Sequence, residues 1–219
     1  RRAGTDAFRR SAFKEALTLF EQSRALMPNS HAAAVALGVR IGETCLRLGQ
    51  YERAKKELDG SVTAARTSGD RQHEAEAHSY LSTLALNVGD KPEAKRCIAH
   101  SLALSRERGD DELIAHGLIE LAWVHFRMGE RTEAHACFRE SLELHERLQL
   151  PKGLARAFSG LAVIADGQGD FAAAAAHRRR SLALYESIGC RQGVGVVYND
   201  LGEMERLDRK STRLNSSHV

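Results

Sequence analysis

The sequence is poor in the residues that build sheets, disulfide frameworks and disordered chains. Its 219 residues include only three prolines and four cysteines, and aromatic residues make up 5% of it. No apolar run approaches the ~18 residues that a membrane-spanning helix needs. Ala, Leu, Glu and Arg are abundant instead, and 42% of the residues are hydrophobic, which is enough for a core. The composition therefore favours an all-α fold.

Motifs of nucleotide-binding and hydrolytic sites are also missing. The sequence contains neither G-x-x-x-x-G-K-[ST] nor G-x-G-x-x-G, so it has no phosphate cradle. It has no G-x-S-x-G nucleophile turn either. Its carboxylates alternate with Lys and Arg, as they do on solvated helix faces. We therefore predict that these residues form no active site and bind no cofactor.

Cysteine and histidine are present without the spacing of a metal site. The four cysteines are far apart, at Cys45, Cys97, Cys137 and Cys190. Without a C-x-x-C pair they are interpreted as reduced thiols of a cytoplasmic protein. His73 and His78 are five residues apart and do not share a helix face, so we predict no metal there. His125 is expected to be a hydrogen-bonded interior histidine.

The two ends carry little information about partners. The chain begins at Arg1, so the lack of a signal peptide says nothing about export. Residues 208–219 resemble a translated sequencing adapter and are interpreted as a cloning or assembly scar; the alternative is a genuine basic, Ser-rich tail. The net charge is +3, but this segment carries three Lys or Arg and one Asp, so it is +1 without them. Charge therefore predicts no nucleic-acid partner.

Internal repetition with a period of 40 residues is the strongest pattern in the sequence. Glycine recurs at Gly49, Gly89, Gly129 and Gly169. Alanine follows five residues later, at Ala54, Ala94, Ala134 and Ala174. Serine closes each repeat, at Ser61, Ser101, Ser141 and Ser181. These coincident columns predict an array of identical structural units.

Each unit is predicted to contain two helices joined at the recurrent glycine. Apolar and small residues recur at three- and four-residue steps on both sides of Gly129, as on helix faces. Glycine suits a helix C-terminus, and Asp70 and Asp110 can cap the helices that follow them. The predicted complete units are 30–69, 70–109, 110–149 and 150–189, with partial units at 1–29 and 190–207.

The columns resemble those of a tetratricopeptide repeat array of the long variety. The first helix of that family carries a large aliphatic residue followed by a small one, matched here by Ile41-Gly42, Leu81-Ser82, Leu121-Ala122 and Leu161-Ala162. The aromatic residue after the turn is kept as Tyr51 and Phe171 but is replaced by Lys91 and Arg131. The resemblance implies an α-solenoid, a right-handed superhelix of stacked antiparallel helix pairs.

The resemblance further implies a concave surface, lined by the first helices, that binds peptides or protein partners. The candidates on this surface are Glu43, Arg47, Ser79, Thr83, Asn87, Ile119, Trp123, Phe126, Arg127, Arg156, Ser159, Asp166, Asn199 and Glu203. Trp123, Phe126 and Arg127 form a patch of the residue types that anchor interfaces. Alternatively, Trp123 packs between adjacent helix pairs.

These observations predict a non-catalytic protein–protein interaction module. The array resembles those carried by bacterial transcription activators with a signalling ATPase and by serine/threonine kinases, so we expect a fragment of a larger bacterial signalling or transcription-regulatory protein. Two alternatives stay open: a sensor of a small ligand or signal peptide, and a structural or self-association scaffold. Nucleic-acid binding is disfavoured by the nearly balanced charge.

Overall fold

The computed structural model describes residues 2–26 and 31–198, and over these residues it contains helices and turns but no strand. The helices are α1 (Arg2–Leu26), α2 (His31–Arg47), α3 (Tyr51–Ser68), α4 (Arg71–Val88), α5 (Lys91–Arg108), α6 (Asp111–Met128), α7 (Arg131–Arg147), α8 (Pro151–Gln168) and α9 (Phe171–Ser187). Residues 191–198 are also helical. Within the described residues, no helix is long and apolar enough to cross a membrane.

The chain forms two compact units, Arg1–Glu130 and Arg131–Val219. In the first unit every helix packs on the next one along the chain, and α2 also contacts α4, as α4 contacts α6. In the second unit α7 packs on α8 and α8 on α9. The predicted all-α fold of stacked helix pairs is confirmed. Residues 199–207 and the suspected scar, 208–219, lie outside the described residues.

Recurrent glycines end the helices, as predicted. Gly89 has a φ of 90°, and its N–H donates to backbone carbonyls of the last turn of α4. Gly129 ends α6 in the same way with a φ of 86°. Glycine adopts this left-handed conformation at little steric cost, whereas other residues are strained there. The one exception among the described residues is Gln149, with a φ of 54°, in the turn between α7 and α8.

Aspartates begin the helices at four positions. The side chain of Asp70 accepts a hydrogen bond from the backbone N–H of His73 at 3.2 Å. Asp110 accepts from the backbone N–H of Leu113 at 3.1 Å. Both caps were predicted and are confirmed, and Asp90 and Asp170 do the same for α5 and α9. Each cap satisfies a backbone donor that the helix itself leaves unpaired, which is worth ~1 kcal/mol.

The predicted columns of small residues lie in the core. The side chains of Ala54, Ala94, Ala134 and Ala174 are completely buried. Leu81 and Leu161 are also buried, whereas Leu121, at the same position of the unit between them, is half-buried. Small residues let the two helices of a pair approach closely, while the leucines supply apolar area to the next pair. The repeat in the sequence is therefore a repeat in packing.

The second helix of one pair packs against the first helix of the next pair, as α7 does against α8. Their facing side chains are complementary in size. A Cβ atom on Gly153, in α8, would lie only 1.8 Å from Cδ2 of His145, in α7. A Cβ atom on Gly193 would likewise lie 2.2 Å from Cδ1 of Tyr185. Because each of these rings occupies the space of a missing side chain, the large residue and the glycine depend on each other.

The same two positions are filled the other way round in the earlier repeats. Forty residues before His145 and Gly153, the chain has Ser105 and Leu113. One large and one small side chain thus face each other in both repeats, but the large one comes from a different helix in each. A close-packed interior requires that their combined volume be kept.

We predict that Gly153→Leu destabilises the chain by about 3 kcal/mol, because the new side chain overlaps the His145 ring. The double variant His145→Ser/Gly153→Leu copies the Ser105 and Leu113 combination and should recover most of the lost stability. Urea unfolding followed by circular dichroism measures both free energies. A double variant as unstable as the single one would show that size complementarity does not control this contact.

Candidate functional site

The first helices of the first unit present a continuous partly exposed surface, here called the first-helix surface. It follows from the contacts of α2 with α4 and of α4 with α6. Its members recur at 40-residue intervals and are partly or fully exposed: Ala36, Arg40, Glu43, Arg47, Glu76, Tyr80, Thr83, Asn87, His116, Glu120, Trp123 and Arg127. The predicted candidates Glu43, Arg47, Thr83, Asn87, Trp123 and Arg127 all belong to it, and it also includes Phe126, which is half-buried beside Trp123.

A network of polar side chains connects α2 to α4 on the first-helix surface. Arg40 donates to Glu43 at 3.2 Å and forms an ion pair with Glu76 at 3.7 Å. Arg47 donates to the second oxygen of Glu43 at 3.4 Å. Tyr80 hydrogen-bonds to Glu43, and burial raises the pKa of its hydroxyl, so this group stays protonated and donates. The donors and acceptors on this surface are therefore held in place.

An aromatic pair marks the α6 part of the surface. The rings of Trp123 and Phe126 meet edge to face, with centroids 5.9 Å apart and an interplanar angle of 88°. Both side chains are half-buried, and the neighbouring Arg127 is exposed. Edge-to-face packing fixes the indole while part of it stays accessible to solvent. The sequence-predicted patch is thus brought together.

Several predicted surface residues lie elsewhere. Ile119 is completely buried, so its assignment to the surface was wrong: its side chain belongs to the core. The Ser159 hydroxyl lies 2.8 Å from that of Ser181 on α9. Asp166 accepts a hydrogen bond from Arg178, also on α9, at 3.2 Å. Both side chains therefore have their polar partners on α9, the second helix of the pair.

The remaining candidates are half-buried or lie outside the described residues. Ser79 is half-buried, and its backbone carbonyl accepts from the Thr83 hydroxyl at 3.2 Å. Arg156 is half-buried on α8, in the second unit. Asn199 and Glu203 lie outside the described residues.

His125 is an interior histidine with a hydrogen-bonded ring, as predicted. It is buried, and its Nδ1 contacts the carboxylate of Glu130 just past the end of α6. Lys95 donates to the same carboxylate at 3.0 Å. Hydrogen bonds from His125 and Lys95 lower the pKa of Glu130. The Glu130 carboxylate therefore connects His125 of α6 to Lys95 of α5.

A second polar cluster was missed by the sequence analysis. The buried carboxylate of Glu74 lies beside His78 on α4 and His100 on α5, and their ligand atoms are within 4.8 Å of one another. Arg66 of α3 donates to Glu74 at 2.7 Å and lies 3.3 Å from Nε2 of His78. His73, which the sequence pairs with His78, lies outside this cluster and contacts the capping residue Asp70. The useful signal was the four-residue spacing of Glu74 and His78, which places them on one helix face.

The cluster perturbs the ionisation of its members. Burial alone would raise the pKa of Glu74, but hydrogen bonds from Arg66, Arg71 and His100 lower it below its ordinary value. Burial and the nearby His100 and Arg66 lower the pKa of His78 to about 4, so its ring is neutral at pH 7. Its Nδ1 is buried without a hydrogen-bond partner. An ionised buried carboxylate is thus balanced by arginines, not by His78.

Comparison with known proteins identifies the repeat. Residues 111–187 match the family described as tetratricopeptide repeat. No curated protein matches the chain significantly. A Rap protein complexed with competence and sporulation factor has a similar structure, with a TM-score of 0.78 at 12% identity, over 89% of this chain and 55% of that one. This chain therefore spans about half the length of that protein.

Two further solved structures share the fold. One is a signal transduction ATPase with numerous domains and a tetratricopeptide repeat sensor, from Pyrococcus horikoshii. Its TM-score is 0.69 at 13% identity, over 87% of this chain and 30% of that one. The other is MamA, with a TM-score of 0.54 at 20% identity, over 81% of this chain and 91% of that one. At these identities the likeness shows the fold alone.

We predict that Glu74→Gln lowers the free energy of unfolding by about 1 to 3 kcal/mol at pH 7, because two arginines lose their anionic partner. Since the pKa of Glu74 is lowered by folding, its contribution is complete above the ordinary value of 4.5 and is lost as the pH falls through the folded-state value. The stability difference between wild type and variant should therefore shrink below pH 4.5. Thermal melts from pH 7 to pH 3 measure it, and a difference independent of pH would contradict the assigned charge.

Proposed function

Because the chain is a tetratricopeptide repeat array, we propose that it is a non-catalytic protein–protein interaction module that binds a peptide or partner segment on its first-helix surface. The observation that carries this proposal is the combination, on stacked first helices, of held polar groups with a partly exposed aromatic pair. Recognition of a peptide needs both a hydrophobic anchor and fixed donors and acceptors. The first-helix surface supplies both.

The expected roles of individual residues follow from their chemistry. Trp123 and Phe126 offer apolar area for an anchoring side chain of the partner. Arg127 and Arg47, both exposed, can pair with partner carboxylates, since a guanidinium offers several donors in a fixed plane. The exposed amide of Asn87 can donate to and accept from a partner's backbone. Arg156 has the same register as Glu76 and His116 of the first-helix surface, so we assign it to the same role in the second unit. Asn199, outside the described residues, stays a prediction from the sequence.

We also propose that the module is the sensing part of a larger bacterial signalling or transcription-regulatory protein in the cytoplasm. Two similar structures support this context: one contains a tetratricopeptide repeat sensor in a signal transduction ATPase, and the other is a Rap protein complexed with competence and sporulation factor. A sensor of a small ligand or signal peptide is the second candidate for the same reason. Sequencing the source DNA on both sides of the chain tests this proposal, since an adjoining effector domain is expected.

Binding to the first-helix surface is tested with synthetic peptides selected from a random library on the wild-type chain. We expect Trp123→Ala to weaken their binding by about 30-fold, equivalent to about 2 kcal/mol, as at interface hot spots. Arg127→Ala should weaken it less, because the exposed charge is already solvated. Trp123 is the sole tryptophan in the sequence, so its emission should also shift on binding.

The matched control is Arg139→Ala, which removes an exposed arginine from a second helix, α7. Its peptide affinity should equal that of the wild type, and circular dichroism should show all variants folded. Selected peptides that bind the Trp123 and Arg127 variants as tightly as the wild type would place the binding site elsewhere. Self-association, the scaffold alternative, would appear as a concentration-dependent mass in light scattering.

A further inference from the structure

We propose that Glu74, His78 and His100 form a binding site for one divalent transition metal ion of the zinc class, for which the guanidinium of Arg66 competes. The site lies between α4 and α5 in the first unit. It is separate from the polar network and the aromatic pair of the first-helix surface.

The ligand geometry fits such an ion. Glu74 and His78 are four residues apart on α4, and His100 reaches them from α5, with its Nε2 3.4 Å from Oε1 of Glu74. All three ligand atoms lie within 4.8 Å of one another. Zinc–nitrogen and zinc–oxygen bonds of ~2.0–2.2 Å in tetrahedral geometry require ligand atoms about 3.4 Å apart. Side-chain rotation must therefore bring the more distant ligand atoms closer together by up to about 1.4 Å.

Lone pairs of Glu74, His78 and His100 already converge on one cation, the guanidinium of Arg66. The Arg66 guanidinium lies 2.7 Å from Glu74, 3.3 Å from Nε2 of His78 and 3.4 Å from Nε2 of His100. A group of one carboxylate and two imidazole nitrogens that surrounds a cation is the donor set that zinc and its neighbours prefer. The residues of the cluster thus already present their acceptors to a positive charge.

The burial of His78 favours metal binding. Only 8% of His78 is exposed, and its Nδ1 has no hydrogen-bond partner. The cluster therefore holds a buried imidazole with an unsatisfied nitrogen close to a buried carboxylate.

The site is accessible from solvent, and the Arg66 side chain can move out of it. The side chain of His100 is 44% exposed, which leaves a path for the ion and room for a water ligand. The side chain of Arg66 is 53% exposed, so it can turn into solvent when the ion binds. Arg71 then remains with the other oxygen of Glu74, at 3.1 Å.

Metal binding would change which helices are connected. Arg66 belongs to α3, so its ion pair with Glu74 links α3 to α4, which are consecutive helices of different predicted units. The metal ligands come from α4 and α5 alone. The ion would therefore replace a link between two successive repeats, 30–69 and 70–109, with a link inside the repeat 70–109.

The probes are Zn²⁺ in isothermal titration calorimetry and Co²⁺ in visible absorption, applied to the full chain without a histidine tag. We expect one ion per chain. His100→Ala should lower the affinity at least tenfold, since loss of a supporting residue alone costs about that much. Arg66→Ala should raise it, because the competing cation is gone. His135→Ala, which removes an exposed histidine of α7, is the matched control and should bind like the wild type.

Stability measurements keep the test valid if a variant is weakened. Zn²⁺ should raise the melting temperature of Arg66→Ala more than that of the wild type, because the ion replaces the lost partner of Glu74. His100→Gln provides a second variant if His100→Ala does not fold. Zn²⁺ binding that survives both His100 substitutions, or a thiolate-to-cobalt charge-transfer band, would place the ion elsewhere. Absence of binding by both the wild type and Arg66→Ala would also overturn the proposal.

Discussion

Close approach between neighbouring helices is the constraint on which the rest of this structure depends. Within a pair it is made possible by the completely buried alanines that recur every 40 residues, such as Ala94 in the first unit and Ala174 in the second. Between α7 and α8 it is made possible by Gly153, whose missing side chain leaves room for the ring of His145. Neither helix of a pair can bury its apolar residues alone, so stability comes from these contacts between neighbours.

The packing determines where function can be located. In each first helix, the sides that carry Leu81, Ala85 and their equivalents pack against neighbouring helices. Only the remaining side is therefore accessible to solvent. On α2, α4 and α6 that side carries the network around Glu43 and the Trp123–Phe126 pair. A surface built on packed helices keeps its polar groups in fixed positions, and this reduces the entropy that a partner's binding must offset.

The cluster around Glu74 results from the same contacts. A carboxylate that is only 2% exposed needs compensation, and three consecutive helices provide it through Arg66, Arg71 and His100. Buried charges of this kind contribute little net stability, because their desolvation offsets their attraction. The equivalent positions 40 and 80 residues later hold Ile114 and Leu154, so the repeat itself does not call for a carboxylate here, and this makes the cluster a candidate for binding an ion.

The sequence by itself determined the helix pairs, their turns and caps, and the columns that form the core, because these follow from local conformation and from a spacing that recurs along the chain. It also placed Trp123, Phe126 and Arg127 together, since one helix turn connects them. Only the tertiary structure decided that Ile119 is buried, that Asp166 pairs with Arg178, and that His100 joins Glu74 and His78. These contacts join residues of different helices, and which side chain turns toward which neighbour depends on packing that no single helix encodes.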